Sequence, residues 1–157
     1  MSDQAPATGA PAPSFEMPAD GGKTLSLSDF SGKKVVLYFY PKDDTSGCTK
    51  EAIGFSEQIG AFEAAGAVVI GVSKDPVKKH DKFIAKHDLK VALISDEDND
   101  LCERYGVWVE KSMYGKKYMG IERSTFLIDG AGVLQKEWRK VKVPGHVDAV
   151  LEAVHEL

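Results

Sequence analysis

Three short apolar runs place the strongest constraint on the fold of this chain. They read VVLYFY at 35–40, AVVIGVS at 67–73 and VALIS at 91–95. Runs of this length, apolar throughout instead of alternating with polar residues, are typical of strands that are covered on both faces. The sequence therefore predicts a buried central sheet.

A helical pattern follows each of these runs, because apolar residues then recur at steps of three and four. The predicted helices cover residues 48–65, 76–87, 97–105 and, near the end of the chain, 146–156. Gly66 and Gly106 end the first and third helices, as glycine often does, and Pro76 lies in the first turn of the second.

Two further runs, 123–129 and 133–139, predict a β-hairpin around Gly130-Ala131-Gly132. The order of elements indicates an α/β fold of three layers with a central sheet. We expect one domain over 14–157 and a flexible, proline-containing lead-in over 1–13, whereas 110–120 shows no clear period.

Composition narrows the classes of function. The chain has 157 residues, of which 28% are charged, and a net charge of −4 without a dense basic cluster, so we expect no nucleic-acid partner. No apolar stretch approaches the roughly 20 residues of a membrane span, and the first residues lack the pattern of a secretory signal. With only two cysteines, we expect a cytoplasmic protein without a disulfide framework.

Cys48 lies where the first strand gives way to a helix, a common place for reactive groups in α/β proteins. Unpaired backbone N–H groups at a helix start favour a nearby negative charge, and a thiolate is the nucleophilic form of cysteine. The alternative is a small buried apolar residue. Position alone leaves both interpretations open.

The residues before Cys48 favour the reactive interpretation when they are taken together. Thr45 can place a hydroxyl beside the sulfur, and Pro41 can form a wall of a pocket without presenting an N–H group. Each residue by itself would also suit an ordinary loop.

This spacing, Pro-x-x-x-Thr-x-x-Cys, resembles that of the peroxiredoxins, and the stretch YFYPKDDTSGCTKEA resembles the Q-type or bacterioferritin-comigratory subfamily. Further similar stretches are GVSKD (71–75), SDEDNDLCERYGVW (95–108) and IERSTFLIDGAG (121–132), the last of which supplies the family's arginine as Arg123. The resemblance spans about 14–155. It implies a thioredoxin-like fold and a thiol-dependent peroxidase.

The resemblance also implies a mechanism. Cys48 would attack a hydroperoxide and become a sulfenic acid, while the Thr45 hydroxyl, the Arg123 guanidinium and the Cys48 N–H would stabilise the departing oxygen. Glu51 could orient Arg123, or it could simply be a favourable charge in the first helical turn. We expect neither a metal ion nor another cofactor.

The second thiol of the subfamily is missing from its two usual places, which are Ile53 and Ile84 here. Cys102 is a possible resolving thiol, but two separate helices seldom bring Cα atoms within the roughly 7 Å that a disulfide needs. We therefore expect a cycle that uses Cys48 alone, with thioredoxin, glutaredoxin or glutathione as the reductant, in a monomeric protein. Gly54 and Gly60 suggest either a weakened helix or close helix packing.

Two other functions stay open at this point. One is thiol–disulfide exchange by a single cysteine on a thioredoxin-like fold, and the other is a redox sensor without turnover. The absence of Cys-x-x-Cys and the presence of Thr45 with Arg123 count against exchange. His80 and His87 are predicted to be surface residues, and no metal site has the required spacing.

Overall fold

The computed structural model describes residues 6–157 and contains nine strands and five α-helices in that part of the chain. The strands are β1 (Glu16–Pro18), β2 (Thr24–Ser26), β3 (Lys34–Phe39), β4 (Ala67–Ser73), β5 (Ala92–Ser95), β6 (Trp108–Met113), β7 (Lys116–Ile121), β8 (Ser124–Ile128) and β9 (Leu134–Trp138). The helices are α1 (Ser46–Glu57), α2 (Ile59–Ala64), α3 (Val77–His87), α4 (Leu101–Arg104) and α5 (His146–Glu156).

The central sheet is mixed and has the strand order β5-β4-β3-β8-β9. The pairs β3–β4 and β4–β5 are parallel, whereas β3–β8 and β8–β9 are antiparallel. The carboxyl ends of β3, β4 and β5 therefore meet at one edge, where α1 and α3 begin. The predicted buried sheet and the hairpin β8–β9 are confirmed.

Alternate residues of β3 enter two separate apolar clusters, which makes the fold three-layered. Val35, Leu37 and Phe39 belong to the first cluster, together with residues of β1 and α4. Val36 and Tyr38 belong to the second, which α1, α2, α3 and α5 cover. Because strand side chains alternate between faces, the two clusters lie on opposite sides of the sheet.

The predicted helix over 48–65 is wrong in its continuity, because the chain forms two helices separated by Gln58. The N–H of Gln58 donates to the carbonyls of Phe55 and Ser56, and its φ and ψ of −101° and 9° leave the helical range. This turn lets the rings of Phe55 and Phe62 pack with centroids 5.7 Å apart. At the start of α3, Pro76 lies one residue before the helix in an extended conformation.

The stretch 110–120, which showed no clear period, lies in the hairpin β6–β7. Its turn contains Tyr114 and Gly115 at φ of 53° and 80°. Two positive φ values define the tight turns that suit a twisted hairpin, but tyrosine is not a residue usually found there. Exposure of most of its side chains removed the alternation that would have revealed the strands.

Part of the predicted lead-in over 1–13 is attached to the domain. The N–H groups of Gly9 and Ala12 donate to the carbonyls of Leu134 and Gly132, and Pro11 forms a bridge with Val133. The side chain of Ala12 is buried in the first apolar cluster. Residues 1–5 lie outside the described residues. Within 6–157, none of the helices has the length and apolar character that crossing a membrane requires.

Candidate active site

Cys48 is the third residue of α1 and is almost fully buried, with 1% of its surface exposed. The residue before the helix, Thr45, makes no side-chain capping bond to it, and its hydroxyl donates 2.9 Å back to the carbonyl of Lys42. The first N–H groups of a helix lack partners within it. The absence of a side-chain cap therefore leaves positive backbone ends beside the sulfur.

The antiparallel pairing of β8 with β3 brings Arg123 to this sulfur from 75 residues away. Ser124 lies opposite Phe39 at the end of β3, so Arg123 is placed beside the carboxyl end of that strand, close to the start of α1. Its Nη2 donates to Cys48 Sγ at 3.4 Å. The structure thus brings together the thiol and the guanidinium that the sequence predicts.

Glu51 holds the other side of the same guanidinium. Its Oε1 accepts from Arg123 Nη1 at 2.6 Å, and its side chain has no solvent exposure. Burial raises the pKa of Glu51 to about 7, even though the charge of Arg123 acts in the opposite direction. The second oxygen, Oε2, is buried and has no hydrogen-bond partner among the described residues. Of the two interpretations of Glu51 that the sequence left open, the structure contains the contact with Arg123.

Gly47 allows Arg123 to approach this closely. A Cβ on Gly47 would lie 3.1 Å from Arg123 Nη2, which is tighter than an ordinary van der Waals contact. The sequence reasoning gave this glycine no role. Its position directly before the cysteine was the available signal, since glycine often marks a close approach to the backbone.

Thr45 and Pro41 are both exposed on the loop between β3 and α1. Because the Thr45 hydroxyl donates to Lys42, its oxygen keeps lone pairs that can accept a hydrogen bond from a bound molecule. The role of this hydroxyl as a donor to the departing oxygen stays a prediction, and in the resting structure the hydroxyl donates to Lys42 instead. Lys111 of β6 is close enough to the active site for the charge of Arg123 to affect it. Burial, followed by that charge, lowers the pKa of Lys111.

Cys102 lies away from this site. It belongs to the first apolar cluster, whereas Cys48 belongs to the second, so the central sheet separates them. Both cysteines are free and buried. Burial, followed by the charge of Asp96, raises the pKa of the Cys102 thiol well above its usual range, and the Cys102 N–H donates to Asp96 at 2.8 Å.

Comparison with known proteins decides the family. The model of the AhpC/TSA family matches residues 8–137. The chain belongs to this family. It is 57% identical over 143 residues to the putative peroxiredoxin bcp of Coxiella burnetii, covering 91% of this chain and 95% of the relative. It is 51% identical over 149 residues to peroxiredoxin Bcp of Bacillus subtilis, covering 95% of each.

A solved structure agrees with the sequence relatives. The bacterioferritin comigratory protein of Xanthomonas campestris, solved in work on its alkyl peroxide reduction activity, has a TM-score of 0.86 and 46% identity over 90% of each chain. The peroxiredoxin family, the thioredoxin-like fold and the thiol-dependent peroxidase activity predicted from the sequence are thereby confirmed.

The predicted surface position of His80 in this peroxiredoxin is wrong. The sequence placed it on the surface, but its side chain has no solvent exposure and lies between Asp43 and the carbonyl of Ile94. Its position three residues before the buried Phe83 on α3 was the signal for a buried face. His87 is partly buried and contacts the exposed Asp44. Among residues 6–157, no group of three or more potential ligands could hold a metal ion.

Proposed function

We propose that this peroxidase uses Cys48 as its only redox sulfur and that an external thiol reduces the oxidised sulfur directly. Thioredoxin, glutaredoxin and glutathione are the candidate reductants. The observation that carries the proposal is the separation of the two cysteines by the central sheet, with Cys48 in one apolar cluster and Cys102 in the other.

In the first step, the Cys48 thiolate attacks the terminal oxygen of a hydroperoxide. A sulfur–oxygen bond forms and the oxygen–oxygen bond breaks, so sulfur loses two electrons and the peroxide gains them. The departing oxygen takes a proton and leaves as an alcohol or water. The product on the enzyme is a sulfenic acid.

The charge moves during this step from sulfur to the departing oxygen, so donors must already face that path. Arg123 and the N–H of Cys48 supply them, with the guanidinium fixed by Glu51. The Thr45 oxygen is free to accept the hydrogen of the incoming hydroperoxide, which orients the oxygen that sulfur attacks. Pro41 borders the same loop without an N–H that competes for the ligand.

In the second step, a thiol of the reductant attacks the sulfenic sulfur, water leaves and a mixed disulfide forms. A second thiol then attacks the reductant's sulfur in that bond, which returns Cys48 as a thiol and leaves the reductant as a disulfide. Two thiols supply the two electrons that the peroxide removed.

The two positions that carry a second cysteine in the subfamily cannot take part here. Ile53 and Ile84 both pack against the second apolar cluster. Cys102 would have to leave its own cluster and cross to the other side of the sheet to meet Cys48, which requires unfolding of α4 and its contacts. An external thiol needs only access to Cys48.

Access to Cys48 requires local movement, because the resting sulfur is almost fully buried. Gly54 does not mark a weak point of α1, since a Cβ there would lie 3.0 Å from Val147 Cγ2 on α5. Close helix packing therefore explains this glycine. Movement of the first turn of α1, where Thr45 supplies no side-chain cap, is the proposed route to the sulfur.

Turnover assays with separate thioredoxin and glutaredoxin systems test the proposal, using hydrogen peroxide and an alkyl hydroperoxide. Cys48→Ser should abolish peroxide consumption, and Cys102→Ala should keep most of it. Loss of turnover in Cys102→Ala, with a melting curve like that of the wild type, would show that Cys102 is the resolving thiol. Stoichiometric oxidation of Cys48 without turnover by any thiol would favour a redox sensor.

The proposed enzyme is a monomer in the cytoplasm. A cycle with one cysteine needs a steady supply of reducing thiols, which the cytosol provides.

The hairpin β6–β7 exposes Met113, Tyr114, Tyr118 and Met119, so a second copy of the chain would bind there if the protein formed a dimer. Light scattering over a range of protein concentration tests the oligomeric state, and cell fractionation tests the location.

A further inference from the structure

His80 is fully buried and has no part in the chemistry described above. Both nitrogens of its ring face hydrogen-bond acceptors. Nδ1 lies 2.7 Å from Asp43 Oδ2, and Nε2 lies 2.9 Å from the carbonyl oxygen of Ile94. A neutral imidazole carries one N–H, so it could donate to only one of these two groups.

The neighbours of the ring indicate where the protons are. The Ile94 carbonyl can only accept, so Nε2 carries a hydrogen. The Tyr40 hydroxyl donates to Asp43 Oδ1 at 2.5 Å, and burial, followed by the charge of Asp43, raises the pKa of Tyr40 well above its usual range. Tyr40 therefore keeps its proton, and the Asp43 carboxylate accepts both from Tyr40 and from His80 Nδ1.

We propose that His80 is a positioning residue, held as a buried imidazolium, that fixes the loop carrying Pro41 and Thr45 in the conformation needed for peroxide reduction at Cys48. The inference rests on the proposed function, because it assigns His80 an effect on the rate of that chemistry. His80 acts through Asp43 and touches neither the sulfur nor the peroxide.

Asp43 is the one buried residue of loop 41–45, and it is held at two points. Its carboxylate contacts His80, and its backbone N–H donates to Asp75 Oδ2 at 2.7 Å. The loop is thus attached to α3 and to the end of β4. Removal of the charge on His80 would leave a buried carboxylate without its cation, which is strongly destabilising for a buried pair.

A protonated His80 ring balances the charges of the carboxylates around it. Asp43 and Asp75 supply two negative charges, and Lys79 pairs with Asp75 Oδ1 at 3.4 Å. Tyr40 is the remaining titratable group that shares Asp43, and it is neutral. Burial lowers the pKa of His80, but the hydrogen bond and charge of Asp43 outweigh burial and raise it above the ordinary value.

The raised pKa of His80 determines how the stability of the loop depends on pH. A histidine whose pKa is higher in the folded state contributes stability that is fully present below its unfolded value of about 6.5. The contribution is lost as pH rises through the higher folded value. We expect the loop to loosen, and the rate of Cys48 oxidation to fall, over that range.

Nitrogen-15 NMR of the histidine rings in the reduced wild-type protein tests the protonation directly. We expect both ring nitrogens of His80 still to be protonated at the ordinary histidine pKa of about 6.5, and one of them to lose its proton at a higher pH. A ring with one protonated nitrogen throughout the range from about pH 6 to 8 would overturn the proposal, whatever the behaviour of any variant.

The positioning role is tested by stopped-flow oxidation of Cys48 and by amide exchange of residues 42–48. His80→Gln should slow oxidation about tenfold or more, since small displacements near a reacting centre have effects up to about 100-fold. His80→Gln should also speed amide exchange in the loop and abolish the decline in the rate of Cys48 oxidation at high pH. Adding Asp43→Asn should restore part of the rate, because the unpaired charge is then gone.

His87→Gln is the matched control, since His87 of the same helix contacts Asp44 of the same loop but on the exposed side. It should leave both readouts near wild-type values. An unchanged oxidation rate and unchanged exchange in His80→Gln would overturn the proposal. Failure of the one-cysteine cycle would instead appear as lost turnover in Cys102→Ala, with the oxidation step and the His80 spectra unaffected.

Discussion

Arg123 donates a hydrogen bond to the sulfur of Cys48 at 3.4 Å, although 75 residues separate them in sequence. The other nitrogen of the guanidinium is held by the buried Glu51, so the cation has little freedom to move away from the sulfur. A fixed positive charge at this distance can stabilise the negative charge that develops on the departing oxygen.

Arg123→Lys tests the need for this geometry. A lysine has one ammonium group and cannot hold Glu51 and the sulfur with two separate nitrogens as the guanidinium does. We expect the rate of Cys48 oxidation to fall about 100- to 1,000-fold, as when a preorganised donor is lost elsewhere. Stopped-flow mixing with peroxide measures this rate, and a fall of less than about threefold would contradict the role.

Glu51→Gln tests the buried carboxyl through stability. The pKa of Glu51 is about 7 in the folded protein against an ordinary 4.5, so the folded state binds more protons between these values. The free energy of unfolding should therefore fall as pH rises through this window, by on the order of 3 kcal/mol. The glutamine variant, which does not titrate, should lack this slope in urea denaturation.

An equal slope in the wild type and in Glu51→Gln would contradict this interpretation. The pH range over which Glu51 changes the free energy of unfolding lies mostly below the range of His80. The stability contributed by His80 is lost only as pH rises above about 6.5. The two effects can therefore be separated by comparing denaturation of the Glu51 and His80 variants over the same pH range.

Gly47→Ala should lower the rate of Cys48 oxidation without lowering the stability of the protein. The new Cβ would lie 3.1 Å from Arg123 Nη2 and push the guanidinium by a few tenths of an ångström, whereas alanine favours the helix by about 1 kcal/mol. We expect oxidation about tenfold slower with stability unchanged or higher. Gly60→Ala is the control, since its Cβ would meet no atom within 4 Å. Equal rates in the two variants would show that Gly47 is not needed for spacing.

Thr45→Val tests whether the hydroxyl oxygen orients the peroxide. Valine keeps the branched shape but removes the oxygen that orients the peroxide, so we expect oxidation to slow about 10- to 100-fold, while Thr45→Ser stays within about threefold of the wild type. Competition against a catalase or peroxidase of known rate measures both variants. Similar losses in valine and serine would assign the effect to packing of the methyl group.

The sheet was predictable because its strands are buried on both faces, and 67–73 became β4 with the predicted bounds. The hairpin β6–β7 was not, because its side chains are mostly exposed and its turn uses Tyr114 with a positive φ. Periodicity reports burial, so a strand pair outside the central sheet leaves little trace in the sequence.

The residues of the active site were likewise only partly predictable from the sequence. Helix-start chemistry drew attention to Cys48, but only the family resemblance indicated Arg123, because contact between them depends on the antiparallel pairing of β8 with β3. The burial of His80 depends on its pairing with Asp43 across 37 residues, and no local pattern encodes such a partner. The long-range pair of His80 with Asp43 was therefore missed by sequence reasoning.

Mass spectrometry of the reduced protein after one equivalent of peroxide shows directly whether Cys48 reacts alone, with a sulfenic-acid trap present in a parallel sample. We expect the peptide containing Cys48 to gain one oxygen, or the trap, while Cys102 stays a free thiol. Loss of two hydrogens with the peptides of Cys48 and Cys102 joined by a disulfide would contradict this expectation.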